Sequence, residues 1–386
     1  MDNFFSQKAL SFTESVIREM TRICIAHQGI NLAQGFPDFP APTEIKEEAV
    51  RAIMEDFNQY SITWGTPSLR HAIADKFAEY NGVRVDPELE ITVCCGSTES
   101  MISSLMAIVN PGEEAIIFEP FYENYGPDSI LCGAIPRFIT LHEPDWCFNK
   151  EELAQAFNNK TKAIIINTPN NPTGKVFSRE ELEFIAELCW KWGVIAITDE
   201  IYEHILYDGV QHVSIASIPG MEDRTITINS ISKTYSLTGW RVGWAIAAPA
   251  ITASIRKVHD FLTVGAPHPL QVAAAQALKM EQSYYNRLAS EYTKKRDFFF
   301  SVLIDAGFIA YKPQGAYYIM TDVSNWGYVD DTVFALKLVK DAGVATVPGS
   351  AFYNHPDSGR SKVRFCFPKK METLEAAADR LLKFRP

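Results

Sequence analysis

Lys233 is where an argument from chemistry can begin. It stands in Ser230-Ile231-Ser232-Lys233-Thr234-Tyr235-Ser236-Leu237-Thr238-Gly239-Trp240-Arg241, a run of small hydroxyl side chains that ends on a second cation. Two cations near each other depress a lysine pKa, and burial does the same. A lysine that is neutral part of the time can attack a carbonyl and hold it covalently. Ser230, Ser232 and Arg241 together suit a phosphate dianion, with the planar Arg241 fork as bidentate partner. A serine-rich loop with a solvated lysine fits the same letters, and this run alone does not choose between them.

Four other stretches place polar or aromatic groups just past an apolar run. Asp199, in Thr198-Asp199-Glu200-Ile201-Tyr202, either caps a helix or faces a site. Asn167-Thr168-Pro169-Asn170-Asn171-Pro172-Thr173-Gly174 is a rigid turn that can aim one Asn amide at a ligand. Pro172 disqualifies Asn171 as a glycosylation acceptor. Cys95-Gly96-Ser97-Thr98-Glu99-Ser100 leads into an apolar helical pattern, which makes an anion site or a plain helix cap. Tyr122, in Glu119-Pro120-Phe121-Tyr122, either stacks on a flat ring or fills a core.

The elements that must position these residues are short and regularly spaced. The β-rich runs are Ile91–Cys94, Ala115–Glu119, Ala163–Asn167, Val194–Thr198, Thr225–Asn229 and Val242–Ala247. They alternate little between apolar and polar, which suits strands buried on both faces. Between them lie helical patterns. In Ser178–Trp192, Ser178 and Glu181 form a capping box, and Leu182, Ile185, Leu188 and Cys189 form one apolar stripe. Alternating strands and helices predict an α/β domain with a mainly parallel central sheet flanked by helices. Ligand sites in such sheets form at the carboxyl ends of strands, where the candidates fall. The last hundred residues read as a smaller α+β domain, with helices at Tyr284–Ala306, Asp331–Ala342 and Met371–Phe384 and strands at Ala316–Thr321 and Val363–Phe367. The expected division is 1–45 as an N-terminal arm and part of the small domain, 46–283 as the large domain and 284–386 as the small C-terminal domain. The first forty residues complete the second domain or cover a site.

The 386 residues carry a net charge of −11, which argues against nucleic acid and anionic membranes as partners. No apolar run reaches membrane-span length, and MDNFFSQKAL lacks the pattern of a secretory leader. Seven cysteines without a C-x-x-C pair read as free thiols, and a cytoplasmic protein is expected. The eight histidines show no zinc-ligand spacing, so no metal is expected.

Taken in order, these stretches resemble the class I/II aminotransferases of the pyridoxal-phosphate (PLP) fold type I, from about Asn31 to the C-terminus. S-I-S-K-T-Y-S-L-T-G-W-R-V-G-W is highly specific, and N-N-P-T-G followed by D-E-I-Y adds independent support. N-L-A-Q-G-F-P-D-F at Asn31–Phe39 and C-F-P-K at Cys366–Lys369 point to the methionine, glutamine–phenylpyruvate and kynurenine aminotransferase branch. The resemblance implies pyridoxal 5'-phosphate as cofactor and Lys233 as the lysine that binds it covalently and then carries the proton. It implies Asp199 on the pyridine nitrogen, Tyr202 and Asn171 on the ring oxygen, and Tyr122 stacked on the ring, where many relatives have Trp or Phe. The phosphate would be held by Ser97, Thr98, Ser230 and Arg241, with Tyr60 reaching across the subunit interface of a homodimer. Ser97 stands where relatives often have Gly or Ala. Arg364 would grip the substrate α-carboxylate, with Asn171 also at the substrate and Gly35 in a loop that closes on it.

The implied reaction moves an amino group from an amino acid to a 2-oxo acid by a ping-pong route. Phe36, Phe39, Tyr60, Trp64 and Tyr122 suggest a medium-to-large apolar or aromatic side chain such as that of methionine, although most of them also suit core or interface. No second arginine is assignable to a side-chain carboxylate, yet one from the other subunit would serve, so an aspartate-type enzyme stays open. Val264-Gly265-Ala266-Pro267-His268-Pro269 departs from the Thr/Ser-rich versions expected there. A carbon–sulfur β-lyase on the same scaffold is the main alternative. A nucleotide-dependent oxidoreductase would need a G-x-G-x-x-G after an early strand, and the sequence has none.

Overall fold

The computed structural model describes residues 4–385, so the first three residues of the 1–45 arm and Pro386 lie outside the described residues. Its strands, in chain order, are β1 (Ile30–Asn31), β2 (Ile91–Cys94), β3 (Glu114–Glu119), β4 (Ile135–His142), β5 (Cys147–Phe148), β6 (Thr161–Asn167) and β7 (Ile195–Asp199). They continue with β8 (Thr225–Ser230), β9 (Gly243–Ile246), β10 (Ile309–Ala310), β11 (Tyr318–Asp322), β12 (Val344–Ala345), β13 (Val347–Pro348) and β14 (Lys362–Cys366). Eight of them make one sheet in the order β2-β9-β8-β7-β6-β3-β4-β5. The five adjacent strands from β8 to β4 run parallel, while β9 and β5 are antiparallel to their neighbours. The central sheet is therefore mixed, parallel across its middle.

Ile116 and Ile117 on β3 and Ile164, Ile165 and Ile166 on β6 are buried because helices cover both faces of the sheet. On one face Ile116, Ile164 and Ile166 meet Leu182 and Ile185 of the helix Arg179–Trp192. On the other, Ile117 and Ile165 meet Met101 and Leu105 of the helix Ser97–Ile108. The capping box expected at Ser178 is present: Ser178 Oγ accepts from Glu181 N–H at 3.2 Å, and Glu181 Oε2 accepts from Ser178 N–H at 2.9 Å. A cap of this kind stabilises a helix by about 1 kcal/mol.

The strand β4 escaped the sequence reading. Its IPRFITLH carries Pro136 and Arg137, and it is covered only in part, so no continuous apolar run marks it. β5 pairs with just Leu141 and His142, which leaves the outer side of Pro136 free of a ladder bond. The strand expected at Ala316–Thr321 starts at Tyr318, because Ala316 sits in a left-handed turn at φ +57°.

β10, β11, β14 and β13 form a second, antiparallel sheet. Phe365 on β14 packs there with Phe299 of the helix Gln282–Asp305 and Phe334 of the helix Asp331–Ala342. From the other end of the chain, β1 pairs in parallel with β12. The helix Val16–Ala26 lays Ile17, Met20 and Cys24 against Val339, Ala345 and Val347. Both termini of the chain thus build one layer beside the large sheet. Among the described residues no helix is long and apolar enough to cross a membrane.

Candidate active site

β2 and β8 both pair with β9, and Gly243 stands opposite both Cys94 and Ser230. The turns after β2 and β8 therefore leave the same sheet edge side by side. A Cβ on Gly243 would lie 2.6 Å from Ser97 N, so only glycine permits this approach. A cavity opens where the turns meet. Ten of the twelve site residues expected from sequence line it: Gly35, Ser97, Thr98, Tyr122, Asn171, Asp199, Tyr202, Lys233, Arg241 and Arg364.

The two others stand apart from it. Ser230 does not line the cavity; its Oγ accepts from Ser232 N–H at 3.1 Å, and Ser232 lines the cavity instead. Ser230 is the last residue of β8, at the start of the turn that carries Lys233. Tyr60 is 86% exposed and takes no part in the cavity of its own chain.

One end of the cavity is a cup of hydroxyls, a helix N-terminus and a guanidinium. Ser97 and Thr98 open the helix Ser97–Ile108, whose first N–H groups point to the cavity end of the sheet. Arg241, in a left-handed turn at φ +55°, donates to the carbonyls of Thr238 and Cys95 at 3.0 and 3.3 Å. A Cβ on Gly96 would collide with its guanidinium, which explains a glycine between Cys95 and Ser97.

In the middle lie a buried carboxylate and a half-buried amine. Asp199, at the end of β7, accepts from Tyr125 Oη at 2.8 Å and from Ile201 N–H at 3.3 Å, and has no ion-pair partner among the described residues. Burial pushes its pKa up to about 6. Burial likewise lowers Lys233 to about 8, against the pull of Asp199 and with help from Arg241 and Arg364. Lys233 Nζ donates to the Gly35 carbonyl at 3.3 Å, which also accepts from Tyr317 Oη at 2.9 Å. A Cβ on Gly35 would collide with Tyr318, so the loop can come this close only without a side chain.

At the other end, on β14, Arg364 is fully buried. It donates to Asn171 Oδ1 at 2.7 Å and to the Ala33 carbonyl at 2.5 Å, while its Nε finds no partner among the described residues. Arginine only donates, so Asn171 must turn its oxygen to Arg364 and its NH₂ elsewhere. The rings of Tyr318 and Phe352 lie 4.3 and 4.8 Å from the guanidinium carbon. No carboxylate pairs with Arg364 among the described residues, and a buried cation left so is costly unless a ligand answers it.

Sequence reasoning missed Tyr125, Tyr318 and the rim formed by Ser15, Ile17 and Arg18. Tyr125 had a signal, since it stands three residues after Tyr122 where a helix begins. A network behind the cup was also missed, and it had no such signal. His259 Nδ1 is 2.6 Å from Glu99 Oε1, and its Nε2 is 2.8 Å from the Thr63 carbonyl. Both neighbours are oxygens that can accept, an arrangement that favours a proton on each ring nitrogen. Burial opposes that charge, but the hydrogen bond and charge of Glu99 outweigh it and hold the His259 pKa above its ordinary value. Glu99 also accepts from Cys95 N–H and from Thr263 Oγ1, and His259 joins it to the Thr63 carbonyl. His259→Ala leaves Glu99 buried without its cation and is expected to cost about 3–5 kcal/mol in urea unfolding. Because the folded pKa is raised, the contribution of His259 is complete below about pH 6.5 and is lost as pH rises through the higher folded value.

Residues 27–381 match the family described as Aminotransferase class I and II. The chain belongs to that family and is an aminotransferase. It is similar to kynurenine–oxoglutarate transaminase 1 of Homo sapiens, with 38% identity over 400 residues covering 95% of each chain. It is also similar to methionine aminotransferase of Escherichia coli (strain K12), 35% identical over 367 residues with 95% of each covered. Among solved structures, N-succinyldiaminopimelate aminotransferase from Mycobacterium tuberculosis superposes with a TM-score of 0.95 at 35% identity, over 98% of this chain and 99% of that one.

Proposed function

We propose that this aminotransferase uses pyridoxal 5'-phosphate to move the α-amino group of an amino acid with a medium-to-large apolar or aromatic side chain to a 2-oxo acid. One observation carries the reading: Lys233 stands between a buried, unpaired carboxylate and a buried, unpaired guanidinium, in a cavity with an anion cup at its end. The residues fit the cofactor. Asp199 needs a donor to answer its buried charge, which a protonated pyridine nitrogen supplies. Ser97, Thr98, Ser230 and Arg241 suit the phosphate, with Ser232 beside them, and Tyr122 offers a ring face at the cavity wall. Tyr202 Oη and the free NH₂ of Asn171 suit the ring oxygen. When bound, the cofactor supplies an electron sink for the α-carbon.

The remaining work belongs to the chain. Arg364 fixes the substrate α-carboxylate as a two-donor fork. Lys233 would carry the proton between the substrate α-carbon and C4′ of the bound cofactor, outward in the first half-reaction and back in the second. Tyr125 holds Asp199 in place, and Gly35 closes the loop over Lys233. We assign the 1–45, 46–283 and 284–386 division to this scaffold. A homodimer would let Tyr60 reach the partner's phosphate; exposed Phe57, Ile62, Phe261 and Val264 offer apolar surface for it. Seven unpaired cysteines suit the cytoplasm.

A panel of amino donors, methionine and kynurenine among them, run against several 2-oxo acids tests the reading. Parallel lines in double-reciprocal plots are expected. Release of pyruvate and ammonia without any oxo acid would instead make the protein a β-lyase. The pH dependence of cofactor capture is a separate test. Only the neutral amine of Lys233 attacks an aldehyde, so cofactor-free protein should capture the cofactor faster as pH rises through about 8, then level off. Stopped-flow absorbance of the captured cofactor reads this directly.

A further inference from the structure

The sequence offered no second arginine for a side-chain carboxylate; the folded chain places one at the cavity. Arg18 lines the same cavity as Lys233 and Arg364. It comes from the helix Val16–Ala26, about 350 positions before Arg364, and the pairing of β1 with β12 together with packing on Val339 and Val347 brings that helix to the site. Three features fix it there. The buried side chains of Ile17, Met20 and Cys24 anchor the helix on one side. Ser15 Oγ accepts from Arg18 N–H at 3.3 Å. Ser15 Oγ also donates to Glu123 Oε1, which joins the helix start to the loop that carries Tyr122.

The Arg18 guanidinium has neither a hydrogen bond nor an ion pair among the described residues, although the chain has 47 acidic side chains and 36 basic ones. Its neighbour Glu123 is engaged by Ser15. An exposed arginine without a partner is ordinary on a surface. One at the rim of a site that already holds a buried arginine for one carboxylate offers a place for a second carboxylate.

We propose that Arg18 is a specificity residue that receives the distal carboxylate of a dicarboxylic 2-oxo acid acceptor. Apolar donors need no such partner, since Ile17 and Phe36 beside it give them an apolar wall. The two halves of the reaction can then share one cavity: an apolar side chain lies on the wall, and a carboxylate turns to Arg18. This inference rests on the aminotransferase reading and names its acceptor class.

The test compares wild type, Arg18→Gln and Arg18→Lys with a fixed amino donor and two acceptors, 2-oxoglutarate and phenylpyruvate. Losing a charge-assisted contact predicts that the ratio of kcat/KM for 2-oxoglutarate to that for phenylpyruvate falls about 10-fold or more in Arg18→Gln, with a smaller fall in Arg18→Lys. Equilibrium binding of glutarate, which does not react, should weaken by a similar factor. A ratio that stays within about 2-fold of wild type, or an equal loss for both acceptors, overturns the proposal. If wild type transaminates neither acceptor, the aminotransferase reading itself has failed, and the two failures are thereby distinguished.

Discussion

Lys233→Ala is expected to lower transamination by at least about 10⁴-fold, the upper range for losing a positioned proton-transfer group. The lysine is asked to do two things that no neighbour can take over. It must present a neutral amine to an aldehyde, and it must later carry a proton at the substrate α-carbon. Burial brings its pKa down to about 8, which supplies the neutral form near physiological pH. The tyrosines nearby cannot substitute: burial raises Tyr202 and Tyr317 well above their ordinary values, so they remain protonated. The variant should fold, because a buried amine costs the apoprotein more than the methyl that replaces it. Cofactor should still enter and be held at the anion cup and at Asp199. Borohydride treatment should then fix no cofactor to the variant, whereas wild type becomes permanently labelled. Label fixed on the variant at another residue would displace Lys233 from its role.

Much of this site was legible because its residues are punctuation as well as chemistry. Asp199, Asn171 and Lys233 each end or follow a run of β-branched residues, and a parallel sheet brings such ends to one edge by topology alone. Gly96 stood in an expected anion site and Gly35 in an expected closing loop, and each has a side chain waiting where a Cβ would go. What stayed hidden depends on pairings between distant segments. Ser232 lines the cavity two residues after Ser230, with the same chemistry and no mark in the sequence that sets it apart. His259 and Glu99 lie 160 positions apart, and no local pattern marks their contact. Arg18 sits on an amphipathic helix where arginine reads as solvated face. β4 was missed because a half-covered strand containing proline lacks the continuous apolar signal of its neighbours.

Asp199→Asn should reverse the usual link between activity and stability. The substitution keeps the shape and the oxygen that accepts from Tyr125, gives up the weaker 3.3 Å bond from Ile201 N–H, and removes the charge. Without a negative charge at the end of β7, the cofactor's pyridine nitrogen loses the partner that keeps it protonated. Turnover should therefore fall about 10²–10³-fold, as for loss of one preorganised electrostatic group. In the cofactor-free protein the effect has the opposite sign. Burial raises the Asp199 pKa from 3.8 to about 6, so the folded chain prefers the protonated form. For a raised carboxylate, stability is fullest below the unfolded value and is lost as pH rises from there through the folded value. A rise of that size costs the fold about 3 kcal/mol at neutral pH. Cofactor-free Asp199→Asn should thus resist urea better than wild type at pH 8, and the advantage should vanish near pH 4. Equal midpoints at pH 8 would mean that the carboxylate is already answered in the empty site. A gain in stability together with the loss of turnover would show that Asp199 is kept at a cost to the fold, for a charge that only the cofactor can balance.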